Sequence, residues 1–146
     1  MSNPLVDMQK PDTIFAIGTN MTECHPVAAT GLKKALTKGA KLIVADPRKT
    51  RLAELAHLHL PIRVGSDVAL LLGMAHVISR EGLEDQKFIE ERTTEYEAFA
   101  EHLKEFTPEW ASEICEVPAA DIEQAGLWYG QANLGAIVFL PKHQSM

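Results

Sequence analysis

The feature that most constrains this chain is a unit that recurs along its first half. Two short apolar runs, Thr13 to Ile17 and Leu42 to Ala45, and one stretch in which Leu58, Leu60 and Ile62 alternate with His59, Pro61 and Arg63, short or at an edge because of Pro61, each lead to a polar cluster and then to helical spacing. An apolar run of about five residues closed by Gly or Asp-Pro reads as a buried strand. Strands alternating with helices imply a parallel sheet with right-handed crossovers. The first helix is expected from Pro26, a residue suited to a first turn, to a stop at Gly39. A short helix is expected over Arg51 to His57, and a long apolar one from Gly65-Ser66-Asp67 through Ile78, closing near Gly82. From Asp85 to Gln131 the pattern is helical throughout, with Tyr96, Phe99, Leu103 and Phe106 on one face. A returning strand is expected over Ala136 to Leu140. The chain therefore reads as an α/β domain with a mostly parallel sheet and a helical C-terminal half.

Residues 1–12 read as a flexible lead-in, 13–140 as a single domain and 141–146 as a tail. A length of 146 residues suits one domain with a hydrophobic core of its own.

Each of the first three strands ends in a polar cluster: Gly18-Thr19-Asn20, Asp46-Pro47-Arg48 and Gly65-Ser66-Asp67. The carboxyl ends of parallel strands share one sheet edge, where open α/β sheets bind ligands. Gly18 and Gly65 permit close backbone approach, and Ser66 is placed to cap the helix behind it. Asp46 and Asp67 are acceptors only, suited to ribose hydroxyls or the N–H edge of guanine, whereas the Arg48 fork suits phosphate. The edge thus reads as a nucleotide site. Turn chemistry alone accounts for each cluster as well, so both readings stand at this point.

Other functions are excluded on composition and motif. A formal net charge of -6 is wrong for a generic nucleic-acid binder or for an anionic membrane surface. Residues 1–10 have no apolar signal core, and the apolar run Val68 to Ala75 falls well short of the ~18 residues of a membrane span. Two separated cysteines, Cys24 and Cys115, make neither a metal cluster nor a disulfide scaffold, and a reducing cytoplasmic setting is expected. No Gly-x-Gly-x-x-Gly, phosphate loop or nucleophile elbow is present. His57 and His59 share a strand face but lack a third ligand. No catalytic residue and no metal ligand is assigned.

Taken in order, Ile17-Gly18-Thr19-Asn20, Thr22-Glu23-Cys24-His25-Pro26, Lys41 to Thr50, Gly65 to Leu71, Glu91-Arg92-Thr93, Thr107-Pro108-Glu109 and Val117 to Ile122 resemble the molybdopterin-dependent oxidoreductases. The similarity is closest to formate dehydrogenase catalytic subunits and runs from about Asp12 to Leu140. The resemblance implies a Rossmann-like, three-layer domain. It would hold one guanosine arm of bis-molybdopterin guanine dinucleotide, contacted by Gly18, Thr19, Asn20, Asp46, Arg48, Gly65, Ser66 and Asp67.

The family's iron–sulfur cysteines and its molybdenum-ligating Cys or selenocysteine have no counterpart here, and Cys24-His25 does not match that ligand. The expectation is therefore a piece of a formate dehydrogenase-like subunit, inactive alone, whose partners are the rest of that subunit. The alternatives are a stand-alone nucleotide or cofactor-binding module, or a truncated chain that self-associates.

Overall fold

The structure, a computed structural model, describes residues 4–139, without the side chains of Leu5 and Cys24. The residues cluster into two compact units. One comprises the chain up to Pro61 together with the segment from Ala132 on, and the other is Ile62–Gln131.

The first unit holds the sheet. Strands β1 (Thr13–Ile17), β2 (Lys41–Ala45), β3 (Leu58–Leu60) and β4 (Gly135–Phe139) lie in the order β3-β2-β1-β4, all parallel. The continuous apolar sequences of β1 and β2 are those of strands buried on both faces, and Ile14, Phe15, Ala16, Leu42, Ile43 and Val44 are at most 1% exposed. The register pairs Ile17 with Ala45 and with Phe139, so three strand ends finish level. Asp12 fastens the returning strand. Its carboxylate accepts from the N–H groups of Asn133 (3.0 Å) and Leu134 (3.4 Å), and its own N–H donates to the Leu134 carbonyl.

Helix α1 (Met21–Cys24) is a single turn that periodicity did not reveal, since four residues carry too little pattern. Helix α2 (Pro26–Thr37) starts at the expected proline. Its stripe of Ala28, Leu32 and Ala35 packs with Ile14, Ala16, Leu42 and Val44. Gly39, at φ +96°, turns the chain out of the helix. The lead-in carries a 3-10 turn, Leu5–Gln9, packed on α2.

Two expected boundaries shift. Helix α3 (Arg51–Leu55) ends before His57 because Ala56 is already extended. Strand β3 stops at Leu60 rather than Ile62, and Pro61 follows it at the edge of the sheet, where a proline is tolerated. Leu140 and the expected tail lie outside the described residues.

The second unit is helical: α4 (Asp67–Arg80), α5 (Gln86–Arg92), α6 (Tyr96–Leu103), α7 (Pro108–Cys115) and α8 (Ala119–Gly130). Helix α4 packs on α7 and α8. Contact is close because glycines stand at the crossings. A Cβ on Gly73 would lie 2.7 Å from the Ala111 Cβ, and one on Gly126 2.9 Å from the Val77 Cβ. Phe106 lies beyond α6 rather than on it, since Thr107 precedes a proline and is extended. Its ring instead packs between His102, edge-on at 87°, and Trp110, tilted at 57°, with centroids 4.8 Å from each. No helix among the described residues is long and apolar enough to cross a membrane.

Candidate functional site

The level ends of β1 and β2 bring together five of the eight expected residues. The Gly18 N–H donates to the Ala45 carbonyl at 3.0 Å and closes the ladder. Gly18 then turns at φ +58° with nothing within 4 Å of where a Cβ would stand, so a side chain there is opposed by backbone strain, not by crowding. Chain order reverses at β1, which has β2 on one side and β4 on the other. Parallel sheets bind ligands at such a reversal.

Thr19 follows, only 1% exposed, and its Oγ1 is the one buried side-chain polar atom among the described residues with no hydrogen-bond partner. Buried hydroxyls are nearly always paired, because an orphan costs about 1–3 kcal/mol. Asn20 is engaged locally. Its amide donates to Glu23 Oε2 (2.7 Å), and its carbonyl oxygen accepts from Thr22 Oγ1 (3.1 Å).

Asp46 is 2% exposed, an uncommon burial for a carboxylate. The Asp-Pro-Arg turn explains it in part. Asp46 Oδ1 accepts from the Arg48 backbone N–H at 2.8 Å and from Arg48 Nε at 3.4 Å. Asp46 Oδ2 makes no hydrogen bond among the described residues. The Asp46 backbone is held from β3, with its N–H on the Leu60 carbonyl (3.2 Å) and its carbonyl on His59 Nε2 (3.0 Å). The Arg48 side chain is 73% exposed, so its ion pair with Asp46 adds little stability and its remaining N–H groups face water. The edge thus presents an acceptor on a largely buried carboxylate, a buried unpaired hydroxyl and an exposed guanidinium.

Gly65, Ser66 and Asp67 belong to the second unit. Gly65 turns at φ +84°, and exposed Asp67 begins α4, where a carboxylate complements the helix dipole. Ser66 stands at the cap position but makes no side-chain cap bond, contrary to expectation. Its Oγ donates instead to the Arg63 carbonyl at 2.6 Å. Its φ of -104° and ψ of 16° leave the extended conformation that N-capping uses. The loop is tied down by the Arg63 N–H on the Cys115 carbonyl (2.9 Å). The Cys115 thiol is fully buried and donates to the Ala111 carbonyl, and burial pushes its pKa up.

The sequence reading did not find His59 or Cys115 as supports of these loops. The period-two pattern of β3 marks His59 as alternating with Leu58 and Leu60, but nothing local identifies its partner. His57 and His59 are each engaged with backbone. His57 Nδ1 accepts from the Leu42 N–H while His59 serves Asp46, and no group of metal-ligating residues occurs among those described. A surface groove of about 490 Å³ is lined by Val6, Pro26, Val27 and Lys34 and includes none of the expected site residues.

These features can be set against known proteins. The molybdopterin oxidoreductase family matches residues 1–133. Formate dehydrogenase H of Escherichia coli K12 is 38% identical over 95% of this chain and 19% of its own length. The F420-dependent formate dehydrogenase subunit alpha of Methanocaldococcus jannaschii is 40% identical over 95% of this chain and 21% of its own. Among solved structures, acetylene hydratase from Pelobacter acetylenicus superposes with a TM-score of 0.84 at 31% identity, covering 93% of this chain and 20% of that one. With parallel sheet, strand-end clusters and sequence in agreement, the chain belongs to the molybdopterin oxidoreductase family.

Proposed function

We propose that this chain contributes guanosine contacts to a molybdopterin guanine dinucleotide cofactor in a formate dehydrogenase-like enzyme. The observation that carries the reading is the Thr19 hydroxyl, buried and without a partner at the end of β1. A ligand seated at that edge supplies the missing bond. Gly18 lets it approach the backbone. Asp46 Oδ2 is an acceptor for sugar hydroxyls or the guanine edge, and Arg48 is a donor for phosphate. Gly65, Ser66 and Asp67 of the second unit enter the proposal through the family resemblance alone. Ser66 shapes that turn, since its hydroxyl and its N–H both donate to the Arg63 carbonyl. Asn20 shapes the loop, its amide being engaged with Glu23.

When bound, the cofactor supplies the redox centre, and this chain's residues bind and orient it. The rest of a larger subunit would carry the chemistry, so the chain alone is expected to be inactive. The share of the relatives' length it spans, 19% and 21%, supports this. Exposed Ile137 and Phe139 on β4, at 50% and 63%, suit a sheet that further protein covers, whether the remaining subunit or a second copy. A cytoplasmic setting belongs to the same proposal, and the free buried thiol of Cys115 supports it.

Calorimetry with GDP and with ATP tests the nucleotide reading. Binding of GDP, lost in Asp46→Asn or Asp67→Ala and not matched by ATP, is the expected result, and equal binding of the two would refute it. Formate with an electron-accepting dye should give no turnover, and dye reduction by the chain alone would overturn that part.

A further inference from the structure

Resting on the nucleotide reading, we infer that His59 is a positioning residue that aims the Asp46 carboxylate. The carbonyl of Asp46 lies just past the last residue of β2, beyond the final pair Ala45–Leu60, and accepts from no backbone donor among the described residues. The imidazole takes the place of that donor, with Nε2 3.0 Å from the Asp46 oxygen. A carbonyl only accepts, so the proton is on Nε2.

Together with the Asp46 N–H on the Leu60 carbonyl, this bond holds the two peptides that flank the Asp46 Cα. The side chain is then set by Oδ1, which receives the Arg48 N–H at 2.8 Å. With Oδ1 committed, Oδ2 points in one direction only. Without His59 the Asp46–Pro47 peptide is free to turn about ψ of Asp46, which shifts the Arg48 N–H that Oδ1 accepts and so releases the carboxylate from its fixed direction. His59 touches no ligand. It determines where the acceptor stands.

The test compares wild type, His59→Gln and His59→Leu in GDP calorimetry, thermal unfolding and amide hydrogen exchange. Glutamine carries an N–H at similar reach, and leucine carries none. Wild type and H59Q should bind GDP within about threefold of each other, and H59L about tenfold more weakly, as expected for one lost hydrogen bond of orientation. Exchange at the Arg48 N–H should quicken in H59L and return to the wild-type rate in H59Q.

Equal GDP affinity in H59L and wild type overturns the assignment. If wild type binds no GDP, the nucleotide reading fails, and Arg48 exchange decides the role of His59 by itself. An unchanged rate in H59L then refutes it, and a faster rate restored by H59Q upholds it. Should H59L not fold, His59→Asn, too short to reach the carbonyl, takes its place under the same criteria.

Discussion

Leu42 and His57 are joined by two hydrogen bonds: the His57 N–H donates to the Leu42 carbonyl at 2.8 Å, and the Leu42 N–H donates to His57 Nδ1 at 3.0 Å. The ring thereby extends the β2–β3 ladder by one bond before β3 begins. Leu42 is fully buried, so its N–H has no water to turn to. Replacing His57 with Leu should lower stability by about 1–3 kcal/mol, the penalty of an unpaired buried donor. Urea unfolding measures this, and an unchanged midpoint would show that the ring is dispensable.

The helical unit depends on its glycines. Gly73→Val places atoms where the Ala111 Cβ lies 2.7 Å from an ideal Cβ and the Ile122 Cγ2 3.2 Å. Overpacking of this kind costs about 1–3 kcal/mol. The unfolding midpoint should fall accordingly, whereas Gly82→Ala, whose Cβ meets nothing within 4 Å, should lose less and only through its φ of +63°.

Cys115 gives a dependence on alkaline pH. Its thiol is held above the ordinary value of 9.0, first by desolvation. Between that value and the raised folded one, the unfolded chain binds fewer protons than the folded chain. Stability is then fully present below pH 9 and falls as pH rises above it. Tyr129, raised from 10.0 by burial, adds to the decline at higher pH. Denaturation midpoints followed from pH 7 to about 10.5 should drop, and less steeply in Cys115→Ala. A flat profile would show that burial does not hold the proton.

Exposed Phe139 bears on association. The sequence of β4, Gly-Ala-Ile-Val-Phe, has no charge or proline to discourage pairing. Light scattering on the isolated chain should show dimers or larger species, reduced by Phe139→Lys. A monomer at all concentrations would leave cover by other protein as the role of this surface.

The parts of the fold legible in the sequence were those set by local pattern. The apolar runs of β1 and β2, Pro26 at the start of α2 and the Thr107-Pro108 helix start all declare themselves within a few residues. What was not legible depends on distant partners. Ser66 has the residue type of a cap, but the Arg63 carbonyl claims its hydroxyl. His59 reads as an alternating strand residue until Asp46 is found beside it. The unpaired state of Thr19 Oγ1 is a property of burial, which no spacing encodes. The resemblance supplied the cofactor assignment, and the geometry supplied a reason for one of its residues.

The most direct test of that reason is Thr19→Val, which keeps shape and removes the hydroxyl. In ligand-free protein the variant should be more stable by about 1 kcal/mol, because the unsatisfied group is gone. The same variant should bind GDP about tenfold more weakly. A less stable variant that binds GDP as tightly as wild type would contradict the claim that Thr19 is held unpaired for a ligand.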